Sequence, residues 1–246
     1  MCGIFGVINN DEISEEKHRM LFKEGNKIKY RGPDNTQVLV INNIFLMFHR
    51  LCINDLSIKG NQPMKLNMYP NIILLCNGEI FNYNELLECN KFKVYSKSDC
   101  EIIIHMYVKY GIEKTLEQLS GDFAFILIDL EKNKKYLARD PFGVRSLYIG
   151  KTDNDETIFG SELKCLTQIG KDITQFSPGC WLDLDENDYK RFYHYNYKII
   201  SNQTQSDIIF NIKSKLEEAV NKRLLSDRPV GCLLSGGLDS SIIASI

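Results

Sequence analysis

A cysteine directly after the first methionine is the residue of this sequence with the clearest chemical promise. Removal of Met1 would leave Cys2 with a thiol and a free α-amino group on one residue. Their ordinary pKa values, about 8.5 and about 7.7–8.0, are close enough for the amine to take the thiol proton directly or through one water, with no histidine partner. Position alone fits equally well a cysteine that begins a buried strand. A second group, Asn77-Gly78-Glu79, follows the apolar run 72–76 and reads as a strand opening into a loop. There the Asn77 amide and the Gly78 N–H can donate to a developing oxyanion, glycine allowing the close approach. Asn-Gly is also an ordinary turn signal. Arg50 and Asp99 offer opposite charges; their plainer readings are a surface cation and a carboxylate serving a helix dipole. Near the other end, Ser235-Gly236-Gly237-Leu238-Asp239-Ser240-Ser241 follows a buried-strand pattern at 229–234. Strand, Gly/Ser loop and helix start together make an anion cradle of N–H groups and hydroxyls. No Gly-Lys-Ser/Thr is present, so the loop is not of the Walker type; a flexible linker is its alternative.

The elements that must hold these residues are short apolar runs, at 4–8, 38–41, 44–48, 72–76, 123–130, 136–138 and 181–184, all read as strands. Turn-forming groups separate them, among them Asn9-Asn10-Asp11, Arg31-Gly32-Pro33-Asp34 and Asp140-Pro141-Phe142-Gly143. Several spacings are too short for a helical crossover, which predicts antiparallel pairing. One helix is predicted over roughly 15–29. Another follows Ser98-Asp99-Cys100-Glu101, which has the form of a capping box. Antiparallel strands with segregated helices predict an α+β layered domain. After about residue 195 the sequence turns polar at Ser201-Asn202-Gln203-Thr204-Gln205-Ser206, a predicted linker, and Ile208, Ile212, Leu216 and Leu224 then recur at helical spacing. The expected domains are 1–195, and 196–246 as linker, helix, first strand and anion loop of a second domain that the sequence begins and does not finish.

The 246 residues are 43% hydrophobic and 25% charged, enough to bury a core without metal or disulfide staples. A formal net charge of −2 gives no electrostatic footprint for nucleic acid or an anionic membrane. No apolar run is long enough to span a bilayer, and the first residues lack the form of a signal peptide, so the expected location is cytoplasmic. The eight cysteines are scattered without a Cys-x-x-Cys pair, and the four histidines lack ligand spacing, so thiols in a reducing compartment and no metal site are expected.

Cys2-Gly3-Ile4-Phe5-Gly6, Arg31-Gly32-Pro33-Asp34, His49-Arg50-Leu51, Asn77-Gly78-Glu79-Ile80-Phe81-Asn82-Tyr83, Ser98-Asp99-Cys100-Glu101, Gly121-Asp122-Phe123-Ala124-Phe125 and Arg139-Asp140-Pro141-Phe142-Gly143-Val144-Arg145 occur in the order found in class II glutamine amidotransferases. Within that class the chain resembles the glutamine-hydrolysing asparagine synthetases. The resemblance implies an N-terminal-nucleophile hydrolase fold, a four-layer sandwich of two antiparallel sheets between helical layers, followed by the start of an α/β nucleotide-binding domain. It implies that Cys2 attacks the side-chain amide of L-glutamine and that Asn77 and Gly78 stabilise the oxyanion. Arg50 would take the substrate α-carboxylate in a bidentate contact, Asp99 and Glu79 would face the α-ammonium, and Leu51, Ile53 and Asn54 would supply backbone contacts. Arg31-Gly32-Pro33-Asp34 would shape a loop near the pocket. The glutaminase step would need no cofactor.

The anion loop resembles that of ATP pyrophosphatases, which assigns contacts with ATP to Leu234, Ser235, Gly236, Gly237, Asp239, Ser240 and Ser241. ATP, magnesium and L-aspartate would belong to the full synthetase reaction, whose site is incomplete in this sequence. Glutamine hydrolysis, and no asparagine synthesis by this chain alone, is therefore expected. Exposed apolar residues at the end predict association with a second copy or a separate C-terminal chain. Two other readings are another class II enzyme, such as an amidophosphoribosyl or hexosamine-phosphate amidotransferase, and a non-enzymatic remnant or regulatory module. Departures from the family text are mild: Ser146 stands where proline is usual, Gly160 for alanine, and Asn54-Asp55 for a Val-Asp pair.

Overall fold

Strands that are apolar on both faces run through most of the first 190 residues, and a strand of that kind must be covered on both sides. The computed structural model describes residues 1–197 and 202–246, so the start of the predicted linker at Ser201 lies outside the described residues. Two compact units are present, Met1–His194 and Tyr195–Ile246.

The first unit opens with β1 (Gly3–Ile8) and helix α1 (Glu15–Asn26), capped by the Ser14 hydroxyl on the Lys17 N–H. A short 3-10 turn, Lys29–Arg31, replaces the end of the helix expected to reach 29. The chain continues through β2 (Asn35–Ile41), β3 (Ile44–Arg50), β4 (Met64–Leu66) and β5 (Tyr69–Ile80) to helices α2 (Tyr83–Asn90) and α3 (Glu101–Gln118). Gly111 breaks α3 with a φ of 79°, a conformation that glycine adopts without steric cost. Strands β6 (Gly121–Asp129), β7 (Lys134–Arg139), β8 (Tyr148–Lys151), β9 (Thr157–Gly160), β10 (Lys171–Gln175), β11 (Cys180–Asp183) and β12 (Asp188–Arg191) complete the unit.

They form two six-stranded sheets, in the orders β10-β8-β9-β1-β3-β2 and β12-β11-β7-β6-β5-β4, with every pairing antiparallel. Three apolar clusters fill the gaps of a four-layer sandwich. Phe5, Val7, Phe45 and Met47 pack with Leu21 of α1. Ile4, Leu46 and Phe48 of one sheet meet Ile73, Leu75, Ala124 and Ile126 of the other. Leu74, Phe123, Phe125 and Leu127 meet Ile103, Met106 and Leu116 of α3. Each strand thus feeds alternate residues to opposite layers, as the period of two requires.

Two local expectations are corrected. Ser98 and Glu101 form no capping box: Cys100 is the N-cap of α3, without a side-chain cap bond. Glu101 instead reaches further back, accepting from the Tyr95 and Ser96 N–H groups at 2.7 Å, and it also pairs with His105. The buried strand expected at 229–234 is not formed; Val230, Leu233 and Leu234 are exposed. A strand needs a neighbour to take its backbone groups, and no described strand lies beside it. The second unit consists of helix α4 (Gln205–Lys222), with a capping box between Thr204 and Asp207, and helix α5 (Leu238–Ser245).

Candidate active site

The alternation that builds the core also aims the reactive residues. Cys2 continues the parity of Ile4, Arg50 that of Leu46 and Phe48, and Asn77 and Glu79 that of Ile73 and Leu75, all of which face the gap between the sheets. Gly3 pairs with His49, which brings Cys2 level with Arg50 at the end of that gap. The apolar filling stops there, and a cavity opens. It is lined by Cys2, Arg50, Leu51, Ile53 and Asn54 on one side, and by Asn77, Gly78, Glu79 and Asp99 on the other. Every residue expected in the glutamine-reading set therefore borders one cavity.

Cys2 is held at both ends. Its sulfur lies 3.4 Å from the Leu51 nitrogen and 3.6 Å from the Leu51 carbonyl oxygen, which can accept from the thiol. Its own carbonyl accepts from Arg31 Nε at 2.8 Å, and Arg31 pairs with Glu162 at 2.8 Å. The Arg31-Gly32-Pro33-Asp34 turn thus fixes the N-terminal strand from below. A Cβ on Gly32 would lie 2.1 Å from the His49 carbonyl oxygen, so only glycine lets this turn pass so near β3. Burial pushes the Cys2 thiol up, against the lowering effect of the Leu51 N–H. Burial likewise lowers the α-amino group, carried here by Met1, which borders the same cavity.

Asn77 and Gly78 lie within a strand, not in a loop as expected, paired with Ala124 and Phe123 of β6. In an antiparallel ladder alternate residues turn their peptide groups to opposite neighbours. Cys76, Gly78 and Ile80 share the side away from β6. There the Gln62 side chain takes both peptide groups of Cys76, at 2.6 and 3.2 Å, and Asp99 Oδ2 accepts from the Ile80 N–H at 2.6 Å. Between them the Gly78 carbonyl meets the Cys100 thiol at 3.8 Å, and by the same alternation the Gly78 N–H turns away from β6. The Asn77 side-chain nitrogen is buried and has no acceptor among the described residues. A buried amide donor without an acceptor, next to a backbone N–H and in the cavity that Cys2 also lines, can receive negative charge. Glycine is required at 78 for approach to β6: a Cβ would lie 2.6 Å from the Asp122 carbonyl oxygen.

Opposite charges stand at the two ends of the cavity. Arg50 is buried, and its Nη1 donates to the Ser57 carbonyl and to Asn61 Oδ1, both at 2.7 Å. Its Nη2 donates to the Asp55 carbonyl and, at 3.4 Å, to that of Asn54. The four Nη hydrogens are thus directed to the loop at 54–61, which fixes the guanidinium at the wall of the cavity. Asp99 accepts from Ile80 and, at 3.1 Å, from Asn54 Nδ2. Burial raises its pKa to about 6, helped by the neighbouring Glu79 charge and opposed by those two donors. Glu79 is itself paired with Arg145 at 3.1 Å.

Arg145, Gln62 and Gly60 were not expected in the site, although Arg145 falls within a motif quoted above. Their signal is tertiary: Gln62 acts as a substitute strand beside Cys76, and a Cβ on Gly60 would lie 2.3 Å from Arg50 Nη2. Leu234, Ser235, Gly236, Gly237, Asp239, Ser240 and Ser241 belong to the second unit. Gly236 turns with a φ of 81°, Gly237 caps α5, and the Ser235 and Ser240 hydroxyls lie 2.9 Å apart. Among the described residues no group of three His, Cys, Asp or Glu side chains is placed to hold a metal ion, and no helix is long and apolar enough to cross a membrane.

A family model described as a glutamine amidotransferase domain matches residues 1–212, and one described as asparagine synthase matches residues 211–246. The nodule asparagine synthetase [glutamine-hydrolyzing] of Pisum sativum is 36% identical over 250 residues, covering all of this chain and 42% of that protein. Asparagine synthetase [glutamine-hydrolyzing] 1 of Saccharomyces cerevisiae is 37% identical, covering 100% and 43%, and the Cricetulus griseus asparagine synthetase 35%, covering 100% and 48%. The chain thus spans less than half the length of these curated relatives. Among solved structures, the glutamine phosphoribosylpyrophosphate amidotransferase from B. subtilis superposes with a TM-score of 0.64 at 19% identity, over 79% of this chain and 50% of that one. A second, described as the allosteric regulatory enzyme of purine biosynthesis, gives 0.63 at 20%, with the same coverage. These likenesses show the fold, the four-layer sandwich of the N-terminal-nucleophile amidotransferases.

Proposed function

The chain belongs to the glutamine amidotransferase domain family, with the start of an asparagine synthase domain behind it, and from that premise we propose that residues 1–195 hydrolyse L-glutamine to glutamate and ammonia. The observation that carries this reading is Asn77 Nδ2, a buried donor without an acceptor among the described residues, next to Gly78 in the cavity that the Cys2 sulfur borders.

After removal of Met1, the Cys2 sulfur attacks the side-chain carbonyl carbon, and the carbonyl π electrons pass to an oxyanion that Asn77 and Gly78 receive. The α-amino group, which takes the thiol proton, returns it to the departing nitrogen as the C–N bond breaks, releasing ammonia and leaving a thioester. Water then adds to the thioester, and collapse releases glutamate and the thiol. Arg50 presents positive charge to the α-carboxylate, and Asp99 with Glu79 negative charge to the α-ammonium.

In the whole protein the ammonia would amidate aspartate to asparagine at the expense of ATP, on a domain that residues 196–246 begin. The loop from Ser235 to Ser241 has the residue types of a pyrophosphate-binding loop, with Gly237 at the start of α5, while its serine hydroxyls bond within the loop. A magnesium ion would find one carboxylate there, Asp239. Ammonia release by the purified chain from which Met1 has been removed, verified by intact mass, tests the reading. Absence of stoichiometric glutamate and ammonia from glutamine would sink it.

A further inference from the structure

Asn54 touches both charged ends of the cavity. Its carbonyl oxygen accepts from Arg50 Nη2 at 3.4 Å, and its side-chain nitrogen donates to Asp99 Oδ1 at 3.1 Å. The family resemblance supplies no role for this side chain, which stands where a valine is usual. We propose that Asn54 is a positioning residue that holds the Asp99 carboxylate ionised and at a fixed distance from Arg50, so that the site reads an α-amino acid by both of its charges. The inference rests on the glutaminase reading and deepens it.

Asp99 has few means of staying charged. Its second oxygen is met by the Ile80 N–H, at 2.6 Å, and the Cys100 thiol stands 4.0 Å from that oxygen. Glu79 adds a like charge from β5, which works against ionisation. Arg50, Arg145, the α-amino group and the Cys2 thiol border the same cavity without an ion pair to Asp99 among the described residues. Arg50 is committed to its loop and Arg145 to Glu79. The Asn54 amide is therefore the donor that meets Asp99 Oδ1, as the Ile80 N–H meets Oδ2. An aliphatic residue of equal size would remove the hydrogen bond to Asp99 Oδ1, and an aspartate would replace it with repulsion.

Asn54→Leu and Asn54→Asp separate this role from mere packing, because aspartate is the closer in shape and the worse in charge. The measurement is kcat/KM for glutamine from pH 5 to 9. The acid limb should move to higher pH by about half a unit or more in Asn54→Leu and further in Asn54→Asp, with KM at pH 7 raised about tenfold and kcat changed less. Recovery toward the parental KM at pH 9 is expected for Asn54→Leu. Superimposable pH profiles, or Asn54→Asp closer to the parent than Asn54→Leu, would overturn the proposal while glutamine hydrolysis by the parent still stood. A parent that does not hydrolyse glutamine overturns the functional reading itself. Direct ¹³C NMR titration of the Asp99 carboxyl then reports on Asn54 alone, and an unchanged titration in both variants overturns its role.

Discussion

Leu51 meets the Cys2 sulfur with both of its backbone groups, the N–H at 3.4 Å and the carbonyl at 3.6 Å. Whichever form the sulfur takes, one of these groups complements it: the carbonyl accepts from the thiol, and the N–H donates to the thiolate. The thiol is thereby oriented by backbone groups alone.

With Met1 retained, alkylation of Cys2 by iodoacetamide should be slow at pH 7 and accelerate with a midpoint above the range of a free thiol, about 8.5, because burial opposes the thiolate. Met1 removal should lower the midpoint, since it opens the cavity wall to water and puts the α-ammonium beside the sulfur. Mass spectrometry of alkylated peptides over pH 6–10 measures both. A midpoint below that of free cysteine in the Met1-bearing chain would contradict the burial. Cys2→Ala should abolish glutamine turnover.

Asn77→Ala should lower kcat by about 10²–10³ with a smaller change in KM, the usual cost of one oxyanion donor. Stability should not fall in step, because the donor removed has no acceptor in the free protein. Steady-state kinetics and urea melts of the same preparation test this. Full activity in Asn77→Ala would remove the side chain from the mechanism.

Gly78→Ala should damage fold and rate together. The added methyl would meet the Asp122 carbonyl oxygen at 2.6 Å and Phe123 Cβ at 2.7 Å, pushing β5 off β6. Overpacking of this kind costs about 1–3 kcal/mol, and the displaced N–H loses its aim at the oxyanion. A variant with parental Tm and parental kcat would show that the approach of the two strands is not needed.

Arg50→Ala should destabilise the protein as well as raise KM. Its guanidinium holds the Ser57, Asp55 and Asn54 carbonyls and Asn61 Oδ1, and a buried acceptor left without its donor costs about 1–3 kcal/mol. Arg50→Lys keeps the charge but not the fork, and should recover more of KM than of stability. Thermal melts beside Michaelis curves decide; a KM left unchanged while Tm falls would make Arg50 a loop clamp only.

Asp99 sets a pH dependence whose sign is the reverse of a typical salt-bridged carboxylate. Its folded pKa of about 6 lies above the ordinary 3.8, so between those values the folded state holds a proton that the unfolded state has lost. Its contribution to stability is full below about pH 4 and is lost as pH rises through 6, to the extent of roughly 3 kcal/mol. Asp99→Asn should therefore flatten the stability profile between pH 4 and 6, in urea titrations, while losing glutamine binding. Equal pH slopes in parent and variant would show that Asp99 is not the group responsible.

The sequence alone determined the alternation. Cys2 shares a parity with Ile4, Arg50 with Leu46 and Phe48, and Asn77 with Ile73 and Leu75; apolar runs with short turns between them already required antiparallel sheets. Motif text added the family and the residues that border the cavity. Tertiary structure decided the rest. A strand apolar on both faces carries no mark of which face meets the other sheet, so it took the stacking of the two sheets to turn these residues into one gap. Pairing within one sheet kept Asn77 and Gly78 inside a strand where their types suggested a turn, because β6 continues beside them and takes the peptide groups of Asn77. Arg50's commitment to its loop, Gln62 standing in for a strand, and Asn54 joining the two charged ends depend on contacts between segments distant in the chain or folded back on themselves. Hydrogen bonds of that kind are fixed by where backbones come to rest, and local residue pattern does not encode it.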